Sequence, residues 1–318
     1  MKVSRSLAPH QPARYPVLTI GNFDGLHRGH QALLKAVGQT AVAKSGTATV
    51  LTFDPHPIAV LSPATPLRFL TTMEDKLARF QEAGIEQVLC IPFDRAFASF
   101  TPEAFVWNVL RDQIGVRELF VGERFAFGAG RTGRMTDLVR LSKPAGFVVH
   151  AVPPIRVEGD IVSSTLIRTM VQAGEVHRAA RFLGRPYDLA GTVVHGDQRG
   201  RALGWPTANI RLPDHRVIPA DGVYATTAVW KGRCLDSVSY IGTRPTFGDG
   251  ERLLEVYLLD EQIDVYGEEM SVRFLARLRG DQVFATPEEL SRQIAVDARQ
   301  ARDAVRAAAR TVADSQVS

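Results

Sequence analysis

The feature that most constrains this chain is a change of rhythm near its middle. Between residues 15 and 152, apolar runs expected as strands at 17–21, 47–53, 87–91, 116–121 and 147–152 alternate with helical patterns at 30–43, 73–83, 102–113 and 135–142. Strands that alternate with helices build a parallel sheet covered on both faces. A helical pair follows at 163–172 and 175–182. The texture then turns to short β-rich runs at 189–195, 222–230, 234–241, 253–259 and 270–278, parted by Gly, Pro and Asp turns. That is the pattern of a small antiparallel barrel or sandwich. Thr286-Pro287-Glu288-Glu289 is a capping box that opens a closing helix. Two domains are expected, 15–183 and 184–312, with 1–14 as an untied leader and 311–318 as a frayed end.

The first chemistry sits at the first strand-to-helix turn. Residues 21–30 read GNFDGLHRGH, directly behind Val17-Leu18-Thr19-Ile20. A helix start presents unpaired backbone N–H groups and a partial positive charge, and in a parallel sheet ligands gather at the carboxyl ends of the strands. Gly25 and Gly29 let the backbone come close, Gly21, Asn22, Phe23 and Asp24 stand with them in the turn as candidate binding residues, and His27 and His30 are placed to donate to phosphate oxygens. The helix start lowers a histidine's pKa, whereas a bound triphosphate raises it. Zinc is not expected, since neither a third histidine nor a cysteine joins the pair.

A second helix start, Ser163-Ser164-Thr165-Leu166-Ile167-Arg168, offers hydroxyls with an arginine one turn later. Residues 128–133 match G-x-G-x-x-G literally but do not form the first strand-to-helix turn, so dinucleotide binding is not expected. In the second half, a glycine-rich stretch from His195 containing Gly196, Arg201 and Gly204 leads into Trp205-Pro206-Thr207-Ala208-Asn209. Thr207 and Asn209 share one strand face, so their oxygens are candidates for Mg²⁺. Glu255 lies in the apolar run 253–256 and either points outward or faces a site as a proton acceptor.

Composition narrows the partners. The formal net charge is +4, yet the arginines are scattered, so anionic small ligands are expected and nucleic acid is not. No apolar run approaches the roughly 20 residues that span a bilayer, so a membrane partner is not expected and a cytoplasmic location is. Cys90 and Cys234 are expected as two core thiols.

The stretches GNFDGLHRGH, TFDPHP, VGERFAFGAGRTG, VSSTLIR, LGRPY, GRALGWPTANI, DGVYA, IGTRPTFG and VYGEEMSVRFLARLR, in that order, resemble the bacterial bifunctional riboflavin kinase/FMN adenylyltransferases, also called FAD synthetases. The resemblance implies an α/β Rossmann-like nucleotidyltransferase domain followed by a small antiparallel β-barrel of riboflavin kinase type with a C-terminal helix. It implies that the first domain joins FMN and ATP into FAD and pyrophosphate. There His27 and His30 would hold ATP phosphates beside Asn22 and Asp24, and Ser163, Ser164, Thr165 and Arg168 the triphosphate end. Asp54 and the Phe125, Phe127 and Arg131 loop would lie toward the flavin. In the barrel, Thr207 and Asn209 would bind Mg²⁺ and phosphate while Glu255 activates the ribityl hydroxyl of riboflavin. Relatives usually carry Asp or Asn where this chain has Arg124, and often His where it has Tyr257. The rival expectation is a nucleotidyltransferase for another phosphorylated substrate with a non-catalytic, flavin-binding barrel. Self-association into a homo-oligomer is left open.

Overall fold

The computed structural model describes residues 1–7, 13–64, 67–195, 204–243, 252–261 and 263–317, with side chains up to 310 in the last helix. It divides into two compact units, Met1–Ser164 and Thr165–Ser318.

In the first unit the order of elements is β1 (Lys2–Ser4), β2 (Pro16–Ile20), α1 (Arg28–Ala43), β3 (Thr47–Phe53), α2 (Pro57–Leu61), α3 (Met73–Glu82), β4 (Gln87–Ile91), α4 (Arg95–Ala98), α5 (Pro102–Ala104), β5 (Glu118–Gly122), α6 (Met135–Ala145) and β6 (Val148–Val152). A hairpin of β7 (Arg156–Val157) and β8 (Asp160–Ile161) follows. The helix opened by α5 continues with wider, π-type winding over Phe105–Ile114 and stops at left-handed Gly115.

β1 to β6 form one parallel sheet in the order β1-β4-β3-β2-β5-β6. Side chains alternate between two cores along each central strand. Leu18, Ile20, Leu51, Leu89 and Ile91 pack on one face with Phe105, Val106 and Leu110. Val17, Val50, Val88 and Cys90 pack on the other with Leu34, Val37 and Phe80. Each fully buried Leu or Val contributes about 1.5–3 kcal/mol. The chain runs from β2 outward through β3 to β4 and then returns to place β5 on β2's other side. The order therefore reverses at β2, which puts residues 21–30 at the switch point of the sheet.

The expectation of an untied leader is corrected at its beginning. Lys2, Val3 and Ser4 pair in parallel with Gln87, Val88 and Leu89, extending the sheet by one edge strand.

In the second unit α7 (Ser164–Gln172, counted from its second residue) and α8 (Val176–Leu183) precede six strands. These are β9 (Tyr187–Val194), β10 (Ala208–Ile210), β11 (Gly222–Trp230), β12 (Arg233–Thr243), β13 (Arg252–Leu258) and β14 (Glu269–Arg279). They close in the order β10-β13-β12-β11-β14-β9, with antiparallel neighbours throughout. Closure settles barrel over sandwich and leaves no sheet edge open. Gly191 is required by close approach, since a Cβ there would stand 2.1 Å from the Arg211 carbonyl oxygen.

A last helix, α9 (Pro287–Val317), lies on the barrel and continues through the residues expected to fray. Its anchor is Asp297, 2% exposed, which receives Arg279 Nη2 at 3.0 Å and Gln293 Nε2 at 2.9 Å. Removing one partner of a pair this buried costs about 3 kcal/mol, because the other charge is left without compensation. Cys90 is buried as expected, but Cys234 is exposed. It sits next to the Trp230–Arg233 end of the β11–β12 hairpin, where the wall's outer side meets water. Among the described residues no helix is long and apolar enough to cross a membrane.

Candidate active sites

The turn after β2 is wound tightly, with Phe23, Gly25 and Leu26 all at positive φ (51°, 83° and 37°). Two of these are not glycine, so the surroundings must hold the strain. Asp24, 2% exposed, does much of this. Its Oδ1 accepts from Leu70 N at 2.9 Å, Thr71 N at 3.1 Å and Thr71 Oγ1 at 3.2 Å. The Gly25 amide donates to Thr71 Oγ1 at 2.9 Å, and Ser164 Oγ donates to the Asp24 carbonyl at 2.9 Å. Asp24, Gly25 and Ser164 thus brace the turn that Asn22, His27 and His30 occupy.

His27 is the N-cap of α1: its Nδ1 accepts from the His30 amide at 3.3 Å. With Nδ1 as acceptor, the neutral ring carries its proton on Nε2, which leaves that nitrogen as a donor. The ring of His30 stacks on that of His27 (centroids 3.7 Å, planes 13° apart) and meets the edge of Phe23 at 5.1 Å. Burial, then the neighbouring His27 and Lys76, hold the His30 pKa well below the ordinary histidine range, so His30 is neutral near pH 7. Its buried Nδ1 has no hydrogen-bond partner among the described residues. At Gly29 a Cβ would lie 3.2 Å from the His27 ring, so glycine there keeps the stacked pair in place.

Beside this turn opens a cavity of about 590 Å³, bordered by Gly21 and Asn22 and walled by Phe53, Phe93, Phe97, Phe100, Phe105, Phe125 and Phe127. Phe125 and Phe127 lie nearly parallel at 5.7 Å, and Phe97 meets Phe53 and Phe100 edge-on at 5.4 and 5.5 Å. Such a space suits a flat, multi-ring heterocycle. Arg124 and Arg131 border it as exposed cations. The glycines of the G-x-G-x-x-G match serve this loop: Gly133 pairs with Phe127, and a Cβ on it would strike the Phe127 ring at 2.9 Å. Asp54 does not line the cavity and instead pairs with Arg5 at 3.4 Å.

On α7, Ser164 and Arg168 stand one turn apart; Ser163 and Arg168 are half-buried and Thr165 is exposed. Thr165 and Arg168 belong to the second unit.

In the barrel, register assembles the site. Asn209 on β10 is paired with Glu255 on β13, and Glu255 with Tyr240 on β12. An apolar cavity of about 340 Å³ is lined by Thr207, Glu255, Trp205, Tyr240, Tyr257 and, from α9, Leu290 and Ile294. Trp205 meets Tyr257 edge-on at 5.2 Å and donates through Nε1 to Ser291 Oγ at 3.0 Å. A more polar cavity of about 470 Å³ is lined by Gly204, Pro206, Thr207, Asp264 and Tyr266. Thr207 borders both. Asn209 is 4% exposed, and its buried Oδ1 has no hydrogen-bond partner among the described residues. Burial and Asp281 push the Tyr240 hydroxyl up to about 12, so it stays protonated and donates to Asp281 at 3.1 Å. Gly196 and Arg201 lie outside the described residues.

Sequence reading missed Lys76, Tyr240 and Asp297, and gave Trp205 no role of its own within its candidate stretch. For Lys76 the signal was a spacing of four from Phe80 on α3, which puts a lysine on an apolar helix face.

Comparison with known proteins agrees with this division. Residues 10–166 match the FAD synthetase family profile and residues 183–305 the riboflavin kinase profile. The bifunctional riboflavin kinase/FMN adenylyltransferase of Escherichia coli K12 is 38% identical over 288 residues, covering 90% of this chain and 92% of that one. Its counterpart in Pseudomonas fluorescens is 39% identical over 305 residues (95% and 97%). The one in Bacillus subtilis is 34% identical over 290 residues (90% and 91%). A crystal structure described as a macrolide-efflux protein from Streptococcus pneumoniae superposes with a TM-score of 0.86 at 29% identity, covering 94% of this chain and 98% of that one. A riboflavin kinase half joined to an FAD synthetase half removes the rival of an unrelated nucleotidyltransferase with a non-catalytic barrel. The chain belongs to the bifunctional riboflavin kinase/FMN adenylyltransferase family.

Proposed function

We propose that the family's two reactions, ATP-dependent phosphorylation of riboflavin to FMN and adenylylation of FMN to FAD, run at the barrel site and the β2–α1 site respectively, in domains spanning 184–312 and 15–183. The observation that carries this reading is Thr207, which borders an apolar cavity and a polar one at once. The isoalloxazine ring fills the apolar cavity against Trp205 and Tyr257, and the ATP phosphates lie in the polar one. Glu255 takes the proton from the ribityl hydroxyl as its oxygen bonds to the γ-phosphorus and the bond to the β-phosphate oxygen breaks. Thr207 Oγ1 and Asn209 Oδ1 would hold Mg²⁺; a buried amide oxygen lacking a donor suits a hard cation. That ion supplies positive charge to the phosphate oxygens.

At the β2–α1 site the flavin ring of FMN enters the phenylalanine-walled cavity. Its phosphate oxygen attacks the α-phosphorus of ATP, and pyrophosphate leaves. His27 Nε2–H and His30 hold the phosphates, with Ser163 toward the triphosphate end. No covalent enzyme intermediate is needed, so positioning and charge stabilisation suffice. Arg124 takes the FMN phosphate. Arg124→Asp is then expected to raise KM for FMN about tenfold, the loss of one charge-assisted hydrogen bond, and an unchanged KM would remove Arg124 from this role. The substrates and the two free thiols fit the cytoplasm.

The test is chromatography of flavins after incubating the purified protein with riboflavin, ATP and Mg²⁺. FMN followed by FAD is expected. FMN alone would overturn the β2–α1 assignment, and riboflavin left unchanged would overturn both.

A further inference from the structure

We propose that Lys76 is a phosphate-binding residue of the β2–α1 site, an ammonium enclosed by α3 against the phosphate turn. This rests on the adenylyl-transfer reading of that site.

Lys76 is 5% exposed. It and Phe80 are the two buried side chains of α3, four residues apart and so on one face of the helix. That face is turned to the motif: Phe80 meets Phe23 edge-on at 5.3 Å, and Phe23 meets His30. The start of α3 is fixed there as well, because Leu70 and Thr71 donate to Asp24, and Thr72 caps the helix in a reciprocal box with Asp75.

What the lysine lacks is a dedicated counterion. Among the described residues no hydrogen bond or ion pair closes on its ammonium. The groups that act on it are Asp24 in the turn, Asp54 beyond β3, Cys90 on β4 and His30 on α1, and His27 caps that helix. Asp24 Oδ1 already serves the Leu70–Thr71 backbone, and Asp54 pairs with Arg5. His30 is neutral and His27 keeps one nitrogen for the cap. A buried ammonium in such company is costly, and an arriving polyanion supplies what is missing. Burial lowers the Lys76 pKa from the ordinary lysine value, against the opposing pull of Asp24. The nucleotide therefore meets a cation whose charge depends on pH.

The test compares the wild type with Lys76→Met, supplying FMN and ATP and following FAD. The variant is expected to melt at or above the wild-type temperature, to phosphorylate riboflavin at the wild-type rate, and to show an ATP KM for FAD formation raised about tenfold or more. In the wild type, kcat/KM for ATP should fall with rising pH on a limb below 10.5, and the variant should lack that limb. A lysine that only packs would give a variant with a lowered melting temperature and an unchanged KM. An unchanged ATP KM in the variant, with the wild type active, overturns the role of Lys76 alone. A wild type that makes no FAD overturns it together with the reading beneath it. If Lys76→Met does not fold, the absence of the wild-type limb still overturns it.

Discussion

Glu255→Gln is expected to cut the rate of FMN formation about a thousandfold while leaving conversion of supplied FMN to FAD unchanged. The amide keeps the size of the carboxylate but cannot accept the ribityl proton as the hydroxyl attacks. The β10–β13 and β12–β13 registers place this side chain between Asn209 and Tyr240, on the wall of the apolar cavity. Tyr240 cannot substitute as base, since its hydroxyl holds its proton up to about 12. Following both products by chromatography separates the halves of the enzyme. A variant that still makes FMN within about threefold of the wild-type rate would mean that positioning alone carries the transfer. Loss of both products would instead indicate a folding defect, which a melting curve detects.

His27→Asn should leave the fold intact and lower kcat/KM for FAD formation about a hundredfold. Asparagine is a good N-cap, so the His30 amide keeps an acceptor and α1 keeps its start. What disappears is the imidazole Nε2–H and the ring on which His30 stacks. His27→Ala loses the cap too and should cost about 1 kcal/mol of stability in addition. Measuring both variants by thermal melting and by FAD synthesis from FMN divides the two roles. If His27→Asn synthesises FAD at the wild-type rate, the residue is a cap and nothing more.

Much of this was legible in the sequence because it depends on local pattern. The switch from helix-strand alternation to short β-runs marks the two halves, and Gly21 to His30 stands at a strand-to-helix turn, where a parallel sheet gathers its ligands. Other features were hidden because they arise from contacts between distant segments. Lys2–Ser4 has no periodicity of its own and becomes a strand only by pairing with β4. Asp24 reads as a ligand beside two histidines, yet one of its oxygens is engaged by residues 46 and 47 positions further on. Asp54 stands in a motif loop, but its pairing with Arg5 follows from a segment read as unattached. The buried pair of Arg279 with Asp297 joins α9 to a strand of the barrel, and no amphipathic pattern announces that. Glu255 could be read as facing either way until its register was known.

Thr207 borders both chambers of the barrel. With the flavin ring in one and the phosphates in the other, as proposed, each substrate would act as the stopper for its neighbour's compartment. On that assignment the terminal phosphate of ATP would face an alcohol while riboflavin is seated, and water once that chamber is vacant. On the proposed assignment, hydrolysis in the barrel would be governed by occupancy, since a flavin that left early would uncover the phosphate it was meant to receive.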